Sequence, residues 1–178
     1  MGRHIGARTI SNRVEATPYV AARFVRTFPD EGSCLGWLKD YMFPAGIMCP
    51  NDACSRYGLV TKHHRVLSRR SYCCAHCGHH VHPTAGTIFH KSPTPLRLWF
   101  YAIYLMASTD CRIPAREIQR QLGVTYKTAW RMSTQIRAIF DAGAAPARPN
   151  DPDERRLGIG HAIVTFVAAH ETGAPGSG

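Results

Sequence analysis

Seven cysteines, Cys34, Cys49, Cys54, Cys73, Cys74, Cys77 and Cys111, are the residues of this chain best suited to chemistry. Four of them form two close pairs, Cys49-x4-Cys54 and Cys74-x2-Cys77, with 19 residues between the pairs. A tight knuckle can present two thiolates to one ion, and an intervening hairpin can fold two knuckles into a tetrahedron. This is zinc-ribbon spacing. Pro50 and Asn51 in the first knuckle and Gly78 after the second are the turn residues such knuckles use. Four thiolates leave no open coordination position, so the predicted Zn2+ holds the fold and does not act on a substrate. The first pair is wider than the common two-residue gap. Cys73 adjoins Cys74, and His76 and His79 lie within reach, so a Cys3His set remains open beside Cys49, Cys54, Cys74 and Cys77. A disulfide framework fits less well, because the stretch from Met1 to Val14 has no apolar segment of the kind that directs secretion. That reading places the protein in the cytoplasm. Cys34 and Cys111 have no partner at ligand spacing and read as small buried residues. The histidines around His80 and His82 have no carboxylates nearby and read as solvated or phosphate-facing.

The net charge is +10, and it is concentrated. Between Arg56 and Arg137 there are 13 Lys/Arg against Asp110 and Glu117, an excess of +11; the rest of the chain has 9 basic and 10 acidic residues. Such a footprint suits a partner with phosphates, because cationic side chains displace condensed counterions.

The elements that must position these residues give a small α+β chain. Residues 1–22 lack periodicity and read as a flexible arm. A helix is expected over Asp30–Tyr41, with its acids in the first turn where the helix dipole favours them. Residues 23–92 then make an N-terminal helix plus a zinc ribbon of short antiparallel strands, with strand-like runs at Tyr57–Thr61, Arg65–Ser68 and His80–His82. Residues 93–140 read as three helices: Thr94 as N-cap with Pro95 in the first turn, running to Ser108; Pro114–Leu122, closed by Gly123; and Thr125 as N-cap, running to Phe140. The apolar run Leu98–Ala107 is half the ~20 residues a membrane-spanning helix needs. From Asp141 the composition turns to Ala, Gly, Pro and Arg, and 141–178 reads as a divergent, disordered tail.

Residues Ala115–Gln135 can be laid on the helix-turn-helix pattern. Ile118 and Leu122 point inward, Gly123 supplies the positive φ of the turn, and Ala129 and Met132 face back from the second helix. Gln119 departs from the small residue usual at its position. On this pattern Trp130, Ser133, Ile136 and Phe140 share the inner face of the recognition helix, and Tyr126, Lys127, Thr128, Arg131 and Gln135 lie toward DNA. Arg and Gln can read base edges, while Lys, Thr and Tyr hold phosphates. Arg112, Arg116 and Arg120 on the preceding helix, and Arg69 and Arg70 in the ribbon, are expected on the DNA backbone.

From Phe28 to Phe140 the chain resembles insertion-sequence transposases whose N-terminal region is a zinc ribbon joined to a helix-turn-helix. The resemblance runs through Phe28-Pro29, Cys49-Pro50, Cys74-x2-Cys77, the string Thr84-Ala85-Gly86-Thr87-Ile88-Phe89-His90, the Leu96–Leu105 helix, and Leu122-Gly123-Val124-Thr125-Tyr126-Lys127-Thr128-Ala129-Trp130-Arg131-Met132. It implies binding to the double-stranded terminal inverted repeats of a mobile element, at the bacterial nucleoid. It also leaves room for a homo-oligomer or a hetero-oligomer with an intact transposase. In that family an RNase-H-like domain follows and carries the metal-binding acids for strand cleavage. Here only Asp151, Asp153 and Glu154 cluster after the helices, in a Pro/Arg-rich context. Two-metal chemistry needs carboxylates from separate rigid elements. The expectation is a zinc-dependent DNA-binding fragment that is not an enzyme, its tail resembling a frameshifted or prematurely ended reading frame. A zinc-ribbon transcription regulator is the alternative.

Overall fold

The computed structural model describes residues 18–142 and 151–170. In chain order these form α1 (Pro18–Thr27), α2 (Glu31–Met42), β1 (His63–Val66), β2 (Ser71–Cys74), β3 (His80–Val81), α3 (Leu96–Ala107), α4 (Ala115–Leu122), α5 (Tyr126–Ala142) and α6 (Pro152–Ala169). The class is small α+β, as expected.

Helix α3 is the axis of the helical body. Leu96, Trp99, Phe100, Ile103, Leu105 and Met106 are buried around most of its circumference, and every other helix packs against it. Its N-terminus corrects the expected cap. Thr94 makes no side-chain cap, and instead the Glu31 carboxylate of α2 accepts from the backbone N–H of Leu96 (2.9 Å) and of Arg97 (3.0 Å). An anion from another helix thus satisfies the exposed amides and the positive end of the dipole. Helix α2 starts where its sequence directs: Asp30 accepts from Ser33 N–H at 2.6 Å, and Ser33 reciprocates through its hydroxyl.

Two expectations about the ends are corrected. The proposed arm already turns helical at Pro18, and Phe24 of α1 is buried; residues 1–17 lie outside the described ones. The proposed tail contains α6, with Asp151 as N-cap accepting from Asp153 N–H at 2.8 Å. Ile159, Ile163 and Val167 recur every four residues, form one stripe and are fully buried. The stripe is covered by α1, α2, α3 and α5, so its partners are distant in sequence. Gly160 lets α6 approach closely, since a Cβ there would stand 2.9 Å from the Ile139 side chain. Tyr41 donates to Arg155 O (3.0 Å) and Arg23 to Val167 O (3.2 Å), which fastens the helix at both ends. The parts of the expected tail at 143–150 and 171–178 lie outside the described residues.

The sheet has order β1-β2-β3, antiparallel throughout, with His63 opposite Cys74 and Tyr72 opposite Val81. The strand expected at Tyr57–Thr61 is reduced to two isolated bridges, Met48 with Val60 and Cys49 with Tyr57. The central strand is Ser71–Cys74, a run that cysteine spacing alone does not mark as extended. Between β1 and β2 a short 3-10 turn ends at Arg70, whose φ of 46° reverses the chain.

Candidate functional site: a four-thiol centre and a basic face

Cys49 and Cys54 sit in the loop before β1, Cys74 ends β2, and Cys77 lies on the turn to β3. Their four Sγ atoms lie within 4.8 Å of one another, with Cys49 and Cys77 at 3.5 Å. Tetrahedral zinc with Zn–S near 2.3 Å separates thiolates by about 3.8 Å, so the arrangement fits such an ion. The cluster gathers the four cysteines at paired spacing and leaves out Cys73, His76 and His79. Successive residues of a strand point to opposite faces. Cys74 therefore joins the cluster, while the Cys73 thiol turns outward to the Gly78 carbonyl at 3.3 Å. His76 and His79 are exposed and do not belong to the group.

Local chemistry favours a cation there. Hydrogen bonds from the His79 backbone N–H and from Asn51 bring the Cys77 thiol down to about 6, whereas burial pushes Cys49 up to about 12. Without a counter-charge, four thiols this close cannot all ionise. A bound dication removes that conflict by stabilising every thiolate. The Arg56 backbone N–H points at Cys54 Sγ (3.4 Å), a donor that a metal-bound thiolate can use. These four residues would hold the ion, and the role it can serve is structural.

The helical pair α4–α5 is joined by Gly123, Val124 and Thr125. Gly123 adopts φ 66°, and Thr125 caps α5 by accepting from Thr128 N–H at 3.2 Å. Ala129, Met132, Ser133, Ile136 and Ile139 are the buried face of α5. Trp130 is a correction: it is 56% exposed, because it lies one residue off the Ala129–Met132–Ile136 stripe. Beside it Tyr126 is 49% exposed, with the Arg116 guanidinium 5.9 Å from its ring centre, and Lys127 is exposed.

The other expected contact residues are distributed unevenly. Arg131 is exposed as a residue, but its guanidinium donates to Ser92 Oγ at 2.9 Å and stands 5.8 Å from the Trp99 ring centre. Gln135 is half-buried, with its Oε1 sheltered inside. Thr128 is half-buried and shares a hydroxyl bond with Thr125 (2.9 Å). Arg120 pairs with Glu117 along α4. Arg69 is exposed at the ribbon surface. Arg70 is engaged internally: it pairs with Glu31 at 3.0 Å and donates to Ser92 O at 2.8 Å.

Sequence reasoning did not find the junction that these bonds create. Ser92 receives Arg131, Arg70 and the indole N–H of Trp99 (3.0 Å). It thereby ties ribbon, α3 and α5 at one residue, and no spacing signal marks it, since all three partners are remote. Asp151 and Asp153 are engaged within α6, the first as its cap and the second as a partner of Arg156. Among the described residues the four cysteines are the sole cluster suited to a metal, and no described helix is long and apolar enough to cross a membrane.

No protein-family model matches the chain, and no solved structure does. A curated relative, an uncharacterized protein in the transposable element ISH50 of Halobacterium salinarum, is 29% identical over 121 residues, covering 66% of this chain. The chain spans 38% of that relative's length. The chain is thus similar to a protein carried by a transposable element.

Proposed function

We propose that this chain is a zinc-stabilised DNA-recognition unit of a transposase-type protein, binding the terminal inverted repeats of a mobile element. The observation that carries this reading is the exposed N-terminal half of α5. Tyr126, Lys127 and Trp130 project from a helix held by a helical partner and by a three-residue turn with a glycine in the left-handed conformation. This pairing is used as a helix-turn-helix whose second helix enters the major groove. Lys127 and Arg116 hold phosphates, and Tyr126 and Trp130 offer flat apolar surface to base methyl groups or sugars. Arg131 can grip guanine only by releasing Ser92, so its truncation is expected near the lower end of the ~1–3 kcal/mol typical of a base contact. Zinc held by Cys49, Cys54, Cys74 and Cys77 would keep the two knuckles of the ribbon together.

Cleavage is not assigned to these residues, since strand transfer requires carboxylates gathered from separate elements. The unit recognises DNA without cutting it, in the cytoplasm at the nucleoid. Binding isotherms on inverted-repeat and scrambled duplexes at several salt concentrations test the proposal. A clear preference for the inverted repeat is expected, with Arg131→Ala reducing that preference and Lys127→Ala weakening both duplexes by the same factor. Equal affinity for both duplexes would sink end recognition, and Mg2+-dependent nicking by the purified protein would overturn the non-catalytic role.

A further inference from the structure

A cleft of about 570 Å³ lies between the ribbon turn and the loop leading into α3. Arg69, His82, His90 and Lys91 line its mouth, Phe89 and Ser92 its inner wall, and none of its lining residues is acidic. The four basic side chains are exposed, and Arg69 and Lys91 have no carboxylate partner among the described residues. Arg70 also borders the cleft, but Glu31 and two backbone carbonyls occupy its guanidinium, so it shapes the wall and adds little free charge. Both Arg70 (φ 46°) and Lys91 (φ 51°) adopt the left-handed conformation that non-glycine residues rarely use. For Arg70 the bonds to Glu31 and Ser92 hold this geometry; for Lys91 the turn closed by Ser92 N–H on the Phe89 carbonyl (3.2 Å) does, and it leaves the Lys91 side chain free at the cleft mouth.

We propose that this cleft seats a phosphodiester of the DNA backbone, gripped by Arg69 and Lys91 with His82 and His90 at its rim. This rests on the DNA-recognition reading above and extends it to a second surface. The continuity is structural: Ser92 in the cleft wall is the residue that receives the Arg131 guanidinium of α5 at 2.9 Å. A duplex lying along α5 therefore runs past the cleft, and its backbone meets the uncompensated cations there. Oxygen acceptors are what such a carboxylate-free basic cleft recognises, and the contact carries no sequence information. The string from Thr84 to His90 thereby acquires a role, because it forms the wall that places His90 and Lys91 opposite Arg69.

The test uses Arg69→Ala and Lys91→Gly, the glycine chosen because it accepts the positive φ at position 91. Lys62→Ala, an exposed lysine outside the cleft, is the control. Metal content and thermal midpoint first confirm that each variant folds. Each cleft variant is expected to weaken inverted-repeat and scrambled duplexes by the same factor. Each should also flatten the slope of log K against log salt by about 0.9, one phosphate contact. In ethylation interference, one phosphate beside the α5 footprint should matter to wild type and not to the variants. Wild-type binding with slope and interference unchanged in both cleft variants would refute the cleft and leave the α5 reading standing. Absence of any wild-type duplex binding would remove both. Saturable binding of inorganic phosphate at Arg69 and Lys91, with those residues indifferent to duplex, would overturn the DNA assignment in favour of a free anion.

Discussion

The ribbon and the helical body are held together by different physics. Beyond the side chains that reach across to the helices, such as Ile47 and Tyr72, the ribbon's own buried cluster is Cys49, Cys54 and Cys74. Its apolar residues Met48, Tyr57, Leu59 and Val60 are each more than half exposed. A stretch this short cannot remove enough apolar surface from water to offset its chain entropy, and a metal held by the four thiols would supply what burial does not. The helical body is the opposite case: Phe28, Trp99, Phe100, Ile103 and Ile163 are all buried in one continuous core. The two are coupled through the apolar side chains that reach across and through polar bonds, Arg65 to Gly32 O (3.1 Å) and Arg70 to Glu31 (3.0 Å) among them. One half is therefore expected to respond to chelators and the other to cavities.

Removing the metal is the most severe way to break this comparison. Structural zinc in small domains is worth about 10–16 kcal/mol at neutral pH. A chelator, or Cys74→Ser, is expected to abolish amide-exchange protection across β1–β3 and leave α3, α5 and α6 protected. Loss of protection in the helices at the same chelator concentration would show one cooperative unit instead of two.

A cavity in the other half should act the other way round. Ile163→Ala removes a fully buried side chain from α6 and is expected to cost about 2–5 kcal/mol in urea unfolding, with metal stoichiometry unchanged. A cost below about 0.5 kcal/mol would mean that α6 does not belong to the core.

The helical body also has an alkaline weakness. Burial pushes the Cys34 thiol from 9.0 up to about 12. In the unfolded chain that thiol ionises from about pH 9, while in the folded chain it stays protonated, so stability is unaffected below this range. It falls as pH rises from 9 toward 12, at most about 1.4 kcal/mol per unit from this group. Cys34→Ala should lower stability at pH 7 yet flatten the alkaline decline, and an equal slope in the variant would count against burial of the thiol.

Glu31 sharpens the comparison, because it serves both halves. Glu31→Gln keeps the shape but loses the charge that faces the α3 amides and Arg70. A cost of about 1–3 kcal/mol is expected, with faster exchange of the Leu96 and Arg97 amides. The smallest effect belongs to Trp130→Ala. With the side chain 56% exposed, urea stability should stay within about 0.5 kcal/mol of wild type while DNA binding weakens.

The sequence by itself determined what local rules encode. Paired thiols at knuckle spacing, the Thr125 cap and the left-handed Gly123 all act within a few residues, so each is legible without a partner, whereas the inner face of α5 was legible at Ser133 and Ile136 and not at Trp130. Tertiary structure alone decided what depends on distant neighbours. The stripe on α6 has meaning only once α1, α2, α3 and α5 cover it, and Ala/Gly/Pro composition conceals it. The choice of Cys74 over Cys73 followed from which face of β2 meets the first knuckle. Arg70 became a brace when Glu31 and Ser92 arrived beside it from other elements, while Arg69 stayed free at the cleft. Charge and spacing nominate residues; which cations remain unpaired is settled by the carboxylates and carbonyls that folding brings within reach.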